Sequence, residues 1–351
     1  MSKNILSKLD FSMVIPAIIL VTLSLATLFS INVELFKNQL VFFAISIFFL
    51  ILFSQLNYSF IKRYSLAIYI LSLILLFLVL IFGIESRGSV RWLELFGIKI
   101  QFSEIIKPFL ALSFSSFLSY NSNSSYKAFF IVLGMLFPVA FLIFMQPDLG
   151  NTIIFVLVVV LSLFVYGSPL RLFLLVLICL GLLLPVFWNF LHDYQKQRVV
   201  NFFNPRDPMG LSYNAIQSVI TVGSGMIIGR GIGQGSQSEL RFLPERHTDF
   251  IFATLAEGLG FIGVSVVILC FGFLLYKIFT IFLKTNELFY KSFCTIAFFY
   301  ILLQFCINIG MNIGILPVVG ITLPFVSYGG SSLLSSFIFL GIISSLKRNV
   351  R

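Results

Sequence analysis

Leu243-Pro244-Glu245-Arg246-His247-Thr248-Asp249 runs without a break into Phe250-Ile251-Phe252-Ala253, and the apolar stretch so begun continues to about residue 277. A run of that length predicts a membrane-spanning helix, because crossing a hydrocarbon core of ~30 Å takes about 18 or more apolar residues. The charged knot marks where the chain passes from water into lipid. Ionisable groups at such a boundary suit an acid and a base that meet a substrate at the lipid surface; a solvated helix cap is the plainer alternative.

Apolar runs of similar length recur at about 11–30, 38–56, 64–83, 127–145, 149–166, 169–189, 289–312 and 325–346. A further stretch, 102–119, is interrupted by Glu104 and Lys107 and diluted by Ser113, Ser115 and Ser116. The 351 residues are 59% apolar and 10% charged, with a mean hydropathy of +1.06, which excludes an ordinary soluble domain. The expected fold is an all-α polytopic membrane protein of about ten transmembrane helices, formed as a single domain over 1–351. Backbone groups in lipid must be paired, and no alternating barrel pattern is present.

Lys and Arg near the ends of spans are retained on the cytoplasmic side. Both termini are therefore expected in the cytoplasm. The inner segments then hold twelve basic residues, from Lys3 to Arg351, against Asp10 and Glu287, which matches the formal excess of +10. Such an excess speaks of topology and anionic lipid, not nucleic acid. The short basic stretch 1–10 leads into a full span and reads as an uncleaved signal anchor. Cys179, Cys270, Cys294 and Cys306 fall inside spans and read as small core residues.

Two outer loops stand out, 84–101 and the long excursion 190–248 between the seventh and eighth spans. Chemistry is expected there. The second contains a turn signal at Asn204-Pro205-Arg206-Asp207-Pro208 and a helical-looking stretch near 212–222. Its glycines, from Gly223 to Gly235, match neither the P-loop nor the dinucleotide fingerprint. They predict a flexible lid or a close-approach turn, and no nucleotide cofactor.

Asp249 is expected at the N-terminal end of a helix, where free amides and the helix dipole favour an ionised carboxylate able to act as a general base. Its structural alternative is a first-turn residue offsetting the dipole, with Thr248 as the cap. Glu257 lies two turns on, ~12 Å deeper, and must face inward or pair, because a lone charge at mid-membrane costs ~3 kcal/mol. Glu104 and Lys107, three apart, share a helix face and form either a structural ion pair or a cavity for a substrate's anionic group. Asp148, in Gln146-Pro147-Asp148-Leu149-Gly150, opens another span as a cap or a binding residue. Arg91 and Trp92 sit near an interface, where Trp is common. His192 and His247 are far apart and every cysteine lies in a span, so no zinc cluster is expected; no serine-nucleophile elbow is present.

At these residues the chain resembles the SEDS family (shape, elongation, division and sporulation), membrane glycosyltransferases that polymerise lipid-linked peptidoglycan precursor. The carriers are RWLELFGIKIQFSEIIK (91–107), QPDLGN (146–151), NAIQSVITVGSGMIIGRGIGQGSQSELRFLPERHTDFIFATLAEGLGFIG (214–263) and LPFVSYGGSSLL (323–334). Within the family, SQSELRFLPERHTDFIFA looks more like RodA, the elongation member, than FtsW, the division member. Two positions depart: Gln101-Phe102-Ser103-Glu104 where the family commonly has Gln-Pro-Ser-Glu, and Ala256-Glu257-Gly258-Leu259 where it has Ala-Glu-Glu-Leu.

The resemblance implies that lipid II and the growing glycan strand are substrates and that Asp249 is the catalytic base. It implies an active site at the outer surface of the bacterial cytoplasmic membrane. A diphosphate leaves without an acid but needs positive charge, for which Lys107, Arg91 and Arg246 are candidates. Trp92, His247, Glu257, Glu104 and Asp148 complete the candidate substrate-binding set. Mg2+ or Mn2+ dependence, a class B penicillin-binding transpeptidase and elongation-complex proteins are further implied. A lipid II flippase is the main rival, since Glu104, Lys107 and Glu257 could line a translocation path, and a noncatalytic scaffold is a third reading.

Overall fold

The structure, a computed structural model, describes residues 9–56, 62–86, 89–95, 97–120, 125–191, 193–203 and 213–348. Lys3, Arg351, His192 and the turn at 204–208 lie outside the described residues.

The chain forms α1 (Phe11–Ile31), α2 (Val33–Ser54), α3 (Ser65–Phe82), β1 (Ile84–Ser86), β2 (Ser89–Leu95) and β3 (Ile98–Ile100). It continues through α4 (Phe102–Ile105), α5 (Lys107–Tyr120), α6 (Ser125–Met145), α7 (Leu149–Val165) and α8 (Leu170–Phe190). The rest comprises α9 (Asp193–Phe203), α10 (Tyr213–Ser224), α11 (Ser236–Glu239), α12 (Ile251–Lys284), α13 (Leu288–Asn312) and α14 (Gly330–Arg348). Among the described residues, α1, α2, α3, α6, α12, α13 and α14 are long and apolar enough to cross a membrane; α7 and the first part of α8 are shorter apolar helices. The chain is a polytopic membrane protein built of helices. The helical stretch foreseen near 212–222 is α10.

Local chemistry sets where these helices start. The Asp10 carboxylate accepts from the Ser12 amide at 3.3 Å and caps α1. Asn32 caps α2 by accepting from the Glu34 amide at 2.7 Å, so α2 starts earlier than hydropathy alone predicts. Asp10 also pairs with Lys347 at 2.5 Å, which brings the start of α1 and the end of α14 to one face of the bundle. At that face Ser345 Oγ donates to the Leu56 carbonyl at 2.6 Å.

Two helices organise the interior. α14 packs along α2, and Ser335, Ser336, Gly341, Ser344 and Ser345 keep its surface low. A Cβ on Gly341 would lie 2.8 Å from the Leu50 carbonyl oxygen; small residues let membrane helices approach closely where lipid supplies no hydrophobic drive. α13 packs against α12, α5 and α7, and Tyr300, Gln304, Asn308 and Asn312, spaced by four, form a buried stripe along it.

The loop expected on the outer side, 84–101, is not irregular. It folds as an antiparallel sheet in the order β1-β2-β3, with Ile84 opposite Trp92 and Glu94 opposite Lys99. The fold class stays all-α with this small sheet appended; strands of three and seven residues are too short to register against the hydropathy of the flanking spans.

The expected span at 249–277 differs too. α12 runs 34 residues but is broken at Gly260, whose φ of 66° and ψ of −166° fall where only glycine is at ease. The break frees backbone groups that the glycine-rich loop takes up. The amides of Arg230 and Gly231 donate to the carbonyls of Glu257 and Gly258, both at 2.9 Å, while those of Phe261 and Ile262 donate to Met226 and Ile227 at 2.9 and 3.2 Å. Left unpaired in lipid, each such group would cost several kcal/mol. Of the two forms expected for the glycine loop, this is the close-approach turn. A Cβ on Gly260 would lie 2.3 Å from the Gly229 amide nitrogen. Gly260→Ala is therefore expected to cost at least ~1–3 kcal/mol from the backbone conformation alone. Thermal unfolding in detergent should show a midpoint lowered by several degrees, and an unchanged midpoint would contradict the account.

Candidate active site

The segment 318–332, which runs from the connection after α13 into the first turn of α14, gathers residues singled out in the sequence. Tyr328 N donates to the His247 carbonyl at 2.9 Å, and Ser327 Oγ donates to the Thr248 carbonyl at 2.8 Å. These two bonds fix the charged knot against the start of α14. The rings of His247 and Tyr328 lie 5.7 Å apart.

Asp249 is half-buried and lies outside the helix it was expected to open. The cap of α12 is Phe250, with no side-chain capping bond, and Thr248 Oγ1 turns back to Glu245 Oε2 at 3.1 Å. The Asp249 carboxylate faces Gly320, where a Cβ would lie 3.5 Å from Oδ2. Its backbone carbonyl accepts from Asn308 Nδ2 and Asn312 Nδ2 at 3.1 and 3.0 Å.

Arg246, three residues earlier, is buried, and its Nη1 meets no acceptor. Burial depresses its proton affinity; nearby Glu239 opposes that depression and Arg241 adds to it. The guanidinium remains a cation. An enclosed, unfilled donor is what an incoming anion would use.

Asp148 reaches the same segment from below. Its Oδ1 accepts from the Asn151 amide at 3.2 Å, capping α7, while Oδ2 accepts from Gln101 Nε2 and Asn151 Nδ2, both at 2.9 Å. Arg91 Nη1 stands 3.8 Å from Asp148 Oδ1, and Arg91 Nε is buried without a partner. Gly150 abuts the segment directly, since a Cβ there would lie 2.7 Å from the Val319 carbonyl oxygen. Gln101 N donates to Ser331 Oγ at 3.0 Å. Trp92 follows Arg91 on β2, partly exposed.

Glu104 and Lys107 lie beyond Gln101, closed off from the surface and paired at 2.6 Å. Glu257 is separate. Its enclosed carboxylate accepts from Gln237 N at 2.8 Å, Ser238 N at 2.9 Å and Ser224 Oγ at 3.3 Å, so it ties down α11 and the loop before it. A small recess lies on that side, lined by Thr27, Ser30, Ile232, Ser238, Thr254 and Leu255 among others, and not by Asp249.

A family model described as "Cell cycle protein", named for FtsW, RodA and SpoVE, matches residues 3–351. The chain belongs to this family, the SEDS proteins. Peptidoglycan glycosyltransferase MrdB of Escherichia coli is 40% identical over 268 residues, 76% of this chain and 72% of that protein. Stage V sporulation protein E of Bacillus subtilis is 34% identical over 90% of this chain and 87% of its own length. Among solved structures, a chain from a peptidoglycan synthase complex that coordinates polymerization and crosslinking superposes with a TM-score of 0.84 at 31% identity, covering 97% of this chain and 98% of that one. The Thermus thermophilus rod shape determining protein RodA superposes with a TM-score of 0.74 at 27% identity, covering 97% of each chain.

Two features of this SEDS site bear on the sequence reading. At Gly258, where the family commonly carries a second acid, an added Cβ would meet nothing closer than 3.6 Å, so a side chain there is not excluded by space. Arg198 on α9 donates to the Val318 carbonyl at 3.3 Å, two residues from Gly320, which adds a cation the sequence reading passed over. Asn308 and Asn312 also went unremarked, although two carboxamides four apart in an apolar span are a legible signal.

Among the described residues, no group of three or more His, Cys, Asp or Glu side chains is placed to hold a metal ion.

Proposed function

We propose that this SEDS protein polymerises lipid II into glycan strands at the outer face of the bacterial cytoplasmic membrane, with Asp249 as general base. The carrying observation is the half-buried Asp249 carboxylate at Gly320, three residues along the chain from Arg246 with its unfilled guanidinium donor. The acceptor sugar's 4-hydroxyl gives its proton to Asp249 as its oxygen bonds to the donor's anomeric carbon. The bond from that carbon to the diphosphate breaks, and undecaprenyl diphosphate departs with the electron pair. Arg246 and Arg91 balance the departing charge. Glu104–Lys107 supports the wall of the site, and Asp148, Trp92 and His247 shape its floor. Any Mg2+ or Mn2+ would travel with the diphosphate, as Mg2+ does where few protein ligands are offered; no step of these residues depends on it.

The sheet, the 146–148 turn, the charged knot and the 318–332 segment meet at the face opposite the Asp10–Lys347 pair. This supports ten spans with both termini cytoplasmic, since the basic ends then lie inside. The crosslinking complex among the similar structures supports a class B penicillin-binding transpeptidase as partner. The likeness to RodA and MrdB supports a role in elongation with elongation-complex proteins rather than in division. Purified protein given labelled lipid II should yield glycan polymer. Transport of lipid II across liposomes with no polymer would replace this reading with the flippase.

A further inference from the structure

Asn308 and Asn312 are fully enclosed on α13. In an unbroken helix the Ala253 amide would close on the Asp249 carbonyl. Here the Asn312 carboxamide stands between them: Nδ2 donates to the Asp249 carbonyl at 3.0 Å, and Oδ1 accepts from Ala253 N at 3.1 Å. The helix can begin only one residue later, where Thr254 N bonds to the Phe250 carbonyl at 3.2 Å.

Asn308 Nδ2 completes the clamp by donating to the Asp249 carbonyl at 3.1 Å and to the Ile321 carbonyl at 2.7 Å. That second bond ties Asp249 to the residue after Gly320, which its carboxylate faces. Ser218 Oγ on α10 donates to the Asn312 carbonyl at 2.9 Å and lies 3.3 Å from Asn312 Oδ1. Each amide nitrogen has carbonyl acceptors, so neither carboxamide can flip without loss.

We propose that Asn308 and Asn312 are positioning residues, which hold Asp249 out of α12 and so aim its carboxylate at the acceptor hydroxyl. This rests on the reading of Asp249 as the base. Without the clamp, Asp249 would wind into α12, and each added helical residue turns by about 100°. A misplacement of about 1 Å in a reacting group can cost about 10²-fold in rate.

The test uses the purified full chain with labelled lipid II. Asn308→Ala and Asn312→Ala should each lower kcat by about 10- to 100-fold with KM moved less than about threefold. On an Asp249→Asn background neither should lower the residual rate further, because groups acting through one residue are not additive. Ser218→Ala, a milder change, should lower kcat by roughly three- to tenfold and decides the matter if the asparagine variants do not fold. Wild-type kcat in the folded variants, with Asp249→Asn inactive, would overturn the clamp and leave the base in place. A parallel rise in KM, or a further loss on the Asp249→Asn background, would mark these residues as general supports and also overturn it. Full activity in Asp249→Asn itself would remove the base, and the clamp with it.

Discussion

Asp249→Asn is expected to slow lipid II polymerisation by about 10²- to 10⁴-fold, the usual contribution of a general base. The carboxamide keeps the shape of the side chain and leaves the backbone carbonyl that Asn308 and Asn312 hold. Folding and lipid II binding should therefore survive, and the loss should fall on kcat. Asp249→Ala should lose as much activity. Gel analysis of labelled glycan from purified protein, with thermal unfolding measured alongside, separates catalysis from stability. Chains forming at the wild-type rate in either variant would end the assignment of Asp249.

The second large effect concerns stability. Lys107→Met leaves Glu104 enclosed without the ammonium now 2.6 Å away, and removing one partner of a buried pair costs about 3–5 kcal/mol. That is a large share of the ~5–15 kcal/mol that holds a typical fold. Adding Glu104→Gln to Lys107→Met removes the stranded charge and should restore most of the lost stability. The double variant also distinguishes the two readings of the pair. Activity recovering with stability would make it structural, whereas a stable but inactive double variant would assign it to the substrate's anionic group. A Lys107→Met protein as stable as wild type would refute the buried pairing.

How much of this was legible beforehand differs by element. The helices of 11–54 and 125–190 follow from hydropathy because lipid leaves a long apolar run no alternative to helix. The weaker stretch 102–119 is legible as a span only against the interruption by Glu104 and Lys107, whose spacing of three a helix turns into contact. The break in α12 was hidden: Gly260 is one glycine among several, and its conformation depends on a loop some thirty residues earlier in the chain. Asp249 and Asp148 stood out as charges at span boundaries, yet their partners did not. Asn151, Gln101, Asn308 and Asn312 are neutral, and what they hold is largely carboxylate or backbone at distant positions. Sequence marks charges in lipid more plainly than carboxamides, because the former carry the larger transfer penalty.

The interruption at Gly260 makes α12 two rods rather than one. The first rod, 251–259, is only about 14 Å long at helical rise, and four backbone bonds to the loop at 226–231 straddle the joint at its end. The short rod that follows Asp249 is therefore held through the loop and through α13 as well as through the joint, so its position is not set by the long rod alone.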